Sequence, residues 1–182
     1  PQLEARISAF ELAYRMQAEA QDAFDISKES AATRKMYGEG DFANACLMAR
    51  RLAERGVRIT QIYYGDGQPW DDHGDIQHHK VLAQDIDGPI AALMADLKQR
   101  GLLDDTIVLW AGEMGRTPHT PAISPTCGRD HHVNGYSLFL AGGGFRSGFE
   151  FGATDDFGNA AVEHPLTIHD IHATMLHQLG LH

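Results

Sequence analysis

Four stretches of the chain repeat apolar residues at the spacing of an amphipathic helix. They are residues 3–20, 41–56, 76–101 and 167–180. In the first stretch the pattern is carried by Leu3, Ile7, Phe10, Tyr14 and Ala18. Because such spacing places the side chains on one face, we predict a helix in each stretch. Pro89 predicts a kink or a boundary within the third.

Three other stretches have the composition of β-strands. Residues 57–64 are rich in β-branched and aromatic residues, residues 106–112 form a continuous apolar run, and residues 136–144 end in three glycines. Residues 148–158 read as an exposed hairpin or loop. Helices that alternate with strands predict an α/β domain with a largely parallel sheet flanked by helices. In such sheets ligands bind beyond the carboxyl ends of the strands.

Composition and charge narrow the class of protein. The 182 residues are 43% hydrophobic and 22% charged, which is typical of one soluble globular domain. The formal charge of −10 argues against nucleic-acid binding through phosphate contacts. The apolar runs are too short to span a membrane. Small molecules, metals and other proteins remain as partners.

The ends of the chain and its two cysteines bear on organisation. The sequence opens in a helical pattern without an initiator Met and stops just after a predicted helix, so we expect a piece of a longer protein. Cys46 and Cys127 are far apart in sequence and form no Cys-x-x-Cys motif. They could form a disulfide or remain free, and the redox compartment stays open.

The stretch "PWDDHGDIQHH", residues 69–79, concentrates aspartates and histidines after the first predicted strand. In an extended segment alternate residues share a face, so Asp71 and His73 form the natural pair and Asp72 points away. Carboxylate oxygen with imidazole nitrogen suits zinc or manganese, and calcium less well. The alternative is a helix start whose acids complement the helix dipole.

Two further clusters lie at the other predicted strand ends. Glu113 follows the second strand, and Arg116 is three residues further on. The two could form a structural ion pair, or Glu113 could be a metal ligand and Arg116 an anion-binding group. Asp130 and His131 precede the third strand. They could be metal ligands, an aspartate that orients a histidine, or an acid/base pair. Three clusters at one edge of a sheet favour a site.

The segments "PWDDH", "LKQRGLLDDTIVLWAGEMGRTP", "GRDHH", "LAGGGFRSG", "GATDDFG" and "HPLTIHDIHATMLHQLGL" together resemble a sulfatase-like domain-of-unknown-function family (DUF fifteen-oh-one). That family has been placed in the alkaline phosphatase superfamily. The similarity runs from roughly residue 35 to the end. It implies an alkaline-phosphatase-like fold, of which residues 1–182 would be the C-terminal portion.

The resemblance also implies roles for individual residues. Arg116 would hold the anionic group, and Asp130 would orient a histidine. Met114 stands where the family usually has Phe, and His132 stands where an aromatic residue is common. The implied metal ligands are Asp71, His73, Glu113 and His131.

We therefore expect a metal-dependent hydrolase of sulfate or phosphate esters, with a small anionic ester as substrate. Its divalent metal would be zinc, with manganese or calcium as alternatives. The superfamily's early metal-binding Asp and its nucleophile lie upstream of these motifs, so catalysis would need the upstream half of the parent chain. The alternative is a non-catalytic metal-binding or scaffold member of the same fold. Export is implied by the resemblance alone, and the oligomeric state stays open.

Overall fold

The computed structural model describes residues 2–120 and 124–181. The chain folds into two compact units. The first unit comprises Pro1–Gly65 and Gln84–Gln99, and the second comprises Asp66–Ala83 and Arg100–His182. The chain therefore passes from one unit to the other three times, once within a helix and once directly after it.

Five α-helices account for most of the regular structure among the described residues. They are α1 (Gln2–Phe24), α2 (Ala31–Tyr37), α3 (Asp41–Glu54), α4 (His79–Gln99) and α5 (Ile168–Gln178). All four predicted helices are thus confirmed. Pro89 lies inside α4, which continues through it. A capping box formed by Thr167 and Asp170 starts α5, because each side chain satisfies a backbone N–H that the first turn leaves unpaired.

Six short strands form three separate antiparallel pairs in the second unit. The strands are β1 (Val108–Trp110), β2 (Gly115–Arg116), β3 (His131–His132), β4 (Phe139–Ala141), β5 (Ala153–Thr154) and β6 (Ala161–Glu163). The pairs are β1 with β4, β2 with β3, and β5 with β6. The predicted second and third strands are present, and β2–β3 was not predicted. The exposed hairpin or loop predicted over residues 148–158 is confirmed in part, because β5 lies within that range and its partner β6 follows it.

The class is mixed α and β, but the largely parallel sheet is not found among the described residues. Every strand pair there is antiparallel, and each sheet has only two strands. The prediction of a strand over residues 57–64 was wrong, because that segment has no regular secondary structure. Strand-forming composition reflects how well side chains fit a pleated, half-buried surface, and none of the strands in the described part of the chain pairs with this segment.

The apolar core lies in the first unit. Its buried apolar side chains come from the end of α1 and from α2, α3 and α4, and are Ala23, Tyr37, Ala43, Cys46, Leu47, Ile86, Ala92, Leu93 and Leu97. Arg50, Arg51 and Asp96 are buried among them. The Arg50 side chain is fully buried and pairs with Asp96 through Nε and Oδ2 at 2.8 Å. Burial of a charge is tolerated because it is paired.

Neither described cysteine forms a disulfide, since Cys46 and Cys127 are both free. Burial raises the pKa of the Cys46 thiol to about 12. Cys127 is half-buried in the second unit. Among the described helices, none combines the length and apolar character needed to cross a bilayer.

Candidate metal centre

Asp71, His73 and His131 bring one ligand atom each into a single cluster in which all three atoms lie within 4.8 Å of one another. Asp71 Oδ1 is 3.0 Å from His73 Nε2 and 2.9 Å from His131 Nε2. Around a tetrahedral zinc with bonds of about 2.0–2.1 Å, neighbouring ligand atoms lie about 3.3 Å apart. The distances from Asp71 to the two histidines are therefore close to those expected between zinc ligands.

The chemistry of this donor set matches known catalytic metals. One carboxylate and two imidazoles hold zinc in several hydrolases and leave a coordination position open. The same set holds iron in two-histidine-one-carboxylate sites. Calcium fits less well, because it prefers oxygen ligands throughout.

Strand pairing brings the distant segments of the second unit together. In the β2–β3 pair, Arg116 lies opposite His131. Backbone hydrogen bonds join the residue 71–76 loop to the segment before β3: Arg129 N donates to Asp72 O, and Ile76 N donates to Cys127 O, each at 3.1 Å. Residues from the three predicted clusters thus meet, by an antiparallel ribbon and loop contacts rather than at the edge of a parallel sheet.

Two glycines make this close approach possible. A Cβ on Gly128 would lie 2.1 Å from the carbonyl carbon of His73 and 2.5 Å from the carbonyl oxygen of Asp72. A Cβ on Gly115 would lie 2.3 Å from the carbonyl oxygen of Gly135. Only a residue without a side chain lets these backbones touch.

Asp130 lies behind His73. Its Oδ1 is 2.9 Å from His73 Nδ1, on the side of the ring opposite to Asp71. Thr117 fixes Asp130, because Thr117 N donates to Asp130 O at 2.9 Å and Thr117 Oγ1 accepts from Asp130 N at 3.1 Å. A carboxylate on the far nitrogen of a ligating histidine is the usual arrangement that orients the ring.

Charged neighbours set the protonation of the cluster. Arg116 donates to Asp71 Oδ1. This hydrogen bond, followed by that of His131, lowers the pKa of Asp71 to about 2. The hydrogen bond to Asp130 raises the pKa of His73. Asp71 is therefore an anion at neutral pH, and a metal would compete with a proton for His73.

Glu113 is not brought into the cluster. Its side chain is 72% exposed, and its Oε1 lies 4.0 Å from Arg116 Nη2. The ion-pair interpretation of Glu113 describes this position better than the ligand interpretation does. Its role as a ligand has no geometric support among the described residues.

The remaining acids and histidines of residues 72–79 have structural contacts. Asp72 Oδ1 accepts from the backbone N–H groups of Gly74 and Asp75, and its Oδ2 is 2.5 Å from His78 Nδ1. His79 Nε2 is 3.0 Å from the carbonyl oxygen of Trp70. These contacts stabilise the turn before α4. The metal-site interpretation of the stretch therefore applies to Asp71 and His73, and the helix-start interpretation applies to Asp72 and the residues it contacts.

Two residues were missed by the sequence predictions. Thr117 holds Asp130 in place through hydrogen bonds, and in the sequence only its position in "GRTP", directly after Arg116, pointed to this role. Gly128 sets the distance between two loops, and a glycine directly before "RDHH" was the available signal.

Asp71, His73 and His131, with Asp130 behind one imidazole, define a candidate metal-binding protein. Residues 1–182 match the model of a family described as protein of unknown function (DUF1501), and the chain belongs to that family. No curated protein and no solved structure matches the chain.

Proposed function

We propose that the protein is a metal-dependent hydrolase of sulfate or phosphate esters, built on an alkaline-phosphatase-like fold. The observation that carries the proposal is the triad of Asp71, His73 and His131 with its second carboxylate on His73. The resemblance of the surrounding motifs to sulfatase-like proteins supports the choice of substrate.

Each residue of the cluster has a part in this proposal. Asp71, His73 and His131 hold the metal, which when bound polarises the ester oxygen and activates the nucleophile. Asp130 accepts a hydrogen bond from Nδ1–H of His73 and so leaves the lone pair on Nε2 for the metal. Arg116 lies against Asp71, where its guanidinium can hold an anionic ester group.

The cofactor and partners follow from the same chemistry. Zinc suits the mixed nitrogen and oxygen donors best, and manganese is the alternative. The substrate is a small anionic ester, and the nucleophile belongs to the upstream half of the parent chain. Glu113 is not used, because the group of ligand atoms that lie within 4.8 Å of one another does not include it.

The first test is the metal content of the purified protein, measured by mass spectrometry beside Asp71→Ala, His131→Ala and the control His172→Ala. We expect one metal ion per wild-type chain, its loss in the first two variants, and its retention in the control, whose exposed histidine lies on α5. A wild-type protein without metal, or variants that keep it, would contradict the proposal.

Metal binding without catalysis is the second candidate. Arg116 already neutralises Asp71, as expected of a stable structural ion pair. Turnover of an aryl sulfate and an aryl phosphate by the metal-loaded full-length parent separates the two candidates, because only a hydrolase releases the phenol.

A further inference from the structure

A cavity of about 230 Å³ lies beside the candidate metal centre in the second unit. The residues that line it include His73, Thr126, Cys127, Arg129 and Asp130. Pockets for drug-sized ligands start at roughly 300 Å³, so this cavity suits a small group.

The lining contains a guanidinium without a carboxylate partner among the described residues. Arg129 Nη1 donates to the carbonyl oxygen of Gly128 at 2.9 Å and to Cys127 Sγ at 3.7 Å, and neither acceptor is a carboxylate. Within residues 2–120 and 124–181 no carboxylate lies within ion-pair distance of Arg129, and Nε and Nη2 make no hydrogen bond to the protein. Arg116, in contrast, is engaged by Asp71.

The backbone holds Arg129 in place. Its N–H donates to the carbonyl oxygen of Asp72 at 3.1 Å, and the adjacent Gly128 packs against the backbone of His73. The side chain is half-buried, which limits the water that reaches the guanidinium. A planar fork of N–H donors at a small cavity matches two oxygens of an oxyanion.

We infer that this cavity is a subsite for an oxyanion group that the substrate carries in addition to the ester at the metal centre. Arg129 binds that group through Nε and Nη2, and Thr126 lines the same cavity. The inference rests on the proposed function and deepens it, because it defines the substrate as an ester with a second sulfate or phosphate group.

The two free cysteines allow a direct test by alkylation. Cys127 lines the cavity, whereas Cys46 is 1% exposed and has a raised pKa, so it serves as an internal standard that should not react. Cys127 is labelled with iodoacetamide in the presence of inorganic sulfate, inorganic phosphate or chloride at equal ionic strength. Mass spectrometry measures the rate of labelling. We expect sulfate or phosphate to slow labelling several-fold and chloride to leave it unchanged. The ion that protects at the lower concentration identifies the group.

Variants assign the protection to Arg129. In Arg129→Gln, about tenfold more sulfate or phosphate should be needed to protect Cys127, because one charged hydrogen bond is lost. Arg129→Lys keeps the positive charge but not the planar pair of N–H donors, so its protection of Cys127 should lie between that of the wild type and that of Arg129→Gln. Arg146→Gln makes the same change of charge at a residue stacked on Phe149, and should behave as wild type. Circular dichroism shows whether each variant is folded.

The outcomes separate this inference from the metal site. His131→Ala should lose metal but keep protection of Cys127, because His131 does not line the cavity. Protection in a protein that never binds metal would refute the hydrolase proposal and leave an oxyanion site. No protection in the wild type, or equal protection in Arg129→Gln, overturns the subsite.

Discussion

Asp71 Oδ1 is the point at which the candidate centre converges. This one oxygen atom accepts from Arg116 and lies within 3.0 Å of a ring nitrogen of His73 and of His131. The Asp-x-His spacing was enough to predict the pair of Asp71 and His73, because alternate residues share a face. It could not exclude Glu113, because the exposure of a carboxylate three residues before Arg116 depends on how the chain turns between β1 and β2.

At this scale Asp130 should tune metal affinity without being a ligand. Asp130→Asn keeps the shape but removes the charge behind His73, and we expect metal affinity to fall about 10–100-fold. Competition with a chelator measures the affinity, and Asp130→Glu should recover part of it. Asp104→Asn, at an exposed acid outside the cluster, is the control. Equal affinity in Asp130→Asn and wild type would show that this carboxylate has no influence on the ring.

Short elements rather than long ones shape the site. The helices could be predicted because their apolar spacing is sustained over many residues. The β2–β3 pair is only two residues on each side, too short for alternation to identify. A sequence pattern reports what a segment prefers, whereas these contacts depend on close approach of distant backbones. Gly115 allows β2 to approach the backbone of His132 and Gly135, and Gly128 allows the segment before β3 to approach the backbone of Asp72 and His73.

Gly128→Ala should therefore damage the site through the backbone. The new methyl group would overlap the carbonyl groups of Asp72 and His73, so the loops must separate. We expect the free energy of unfolding to fall by about 2 kcal/mol or more, with a loss of metal affinity.

Gly74→Ala is the matched control in the same loop, since its Cβ would meet Asp72 Oδ1 at an ordinary 3.6 Å. Thermal melting and chelator competition measure both effects. If Gly128→Ala were as stable as Gly74→Ala, the close approach of the loops would not be needed for folding.

At the scale of the whole molecule, burial is unevenly distributed. The buried apolar side chains found among the described residues belong to the first unit. In the second unit, Trp110 of β1 is 51% exposed and Phe139 of β4 is 44% exposed. The sequence showed where strands could form, but a parallel sheet also needs neighbouring strands on both sides, which a local pattern cannot specify.

The stability of the first unit should depend on the buried ion pair. Asp96 is fully buried against Arg50 Nε and accepts from the Tyr37 hydroxyl at 3.1 Å. Asp96→Asn leaves a buried guanidinium with less compensating charge, and we expect a loss of about 3 kcal/mol in unfolding free energy. Glu29 and Glu54, which also pair with Arg50, keep the loss near the lower end of the usual range.

Asp85→Asn provides the comparison on the same helix. Asp85 also accepts from a tyrosine hydroxyl, that of Tyr64 at 2.9 Å, but it is exposed. Its loss should cost about 1 kcal/mol or less. Urea denaturation of both variants measures the difference, and equal losses would mean that burial adds nothing to the Arg50–Asp96 pair.

The position of Trp70 makes its fluorescence sensitive to the candidate metal centre. Its indole ring lies 5.4 Å from the ring of His79, and it is the residue directly before Asp71. Indole fluorescence responds to the charge and hydrogen bonding of nearby groups, so any movement of Asp71 changes the surroundings of this fluorophore. The other tryptophan, Trp110, is half exposed on β1. The protein thus contains an intrinsic light-emitting reporter one peptide bond away from its candidate metal ligand.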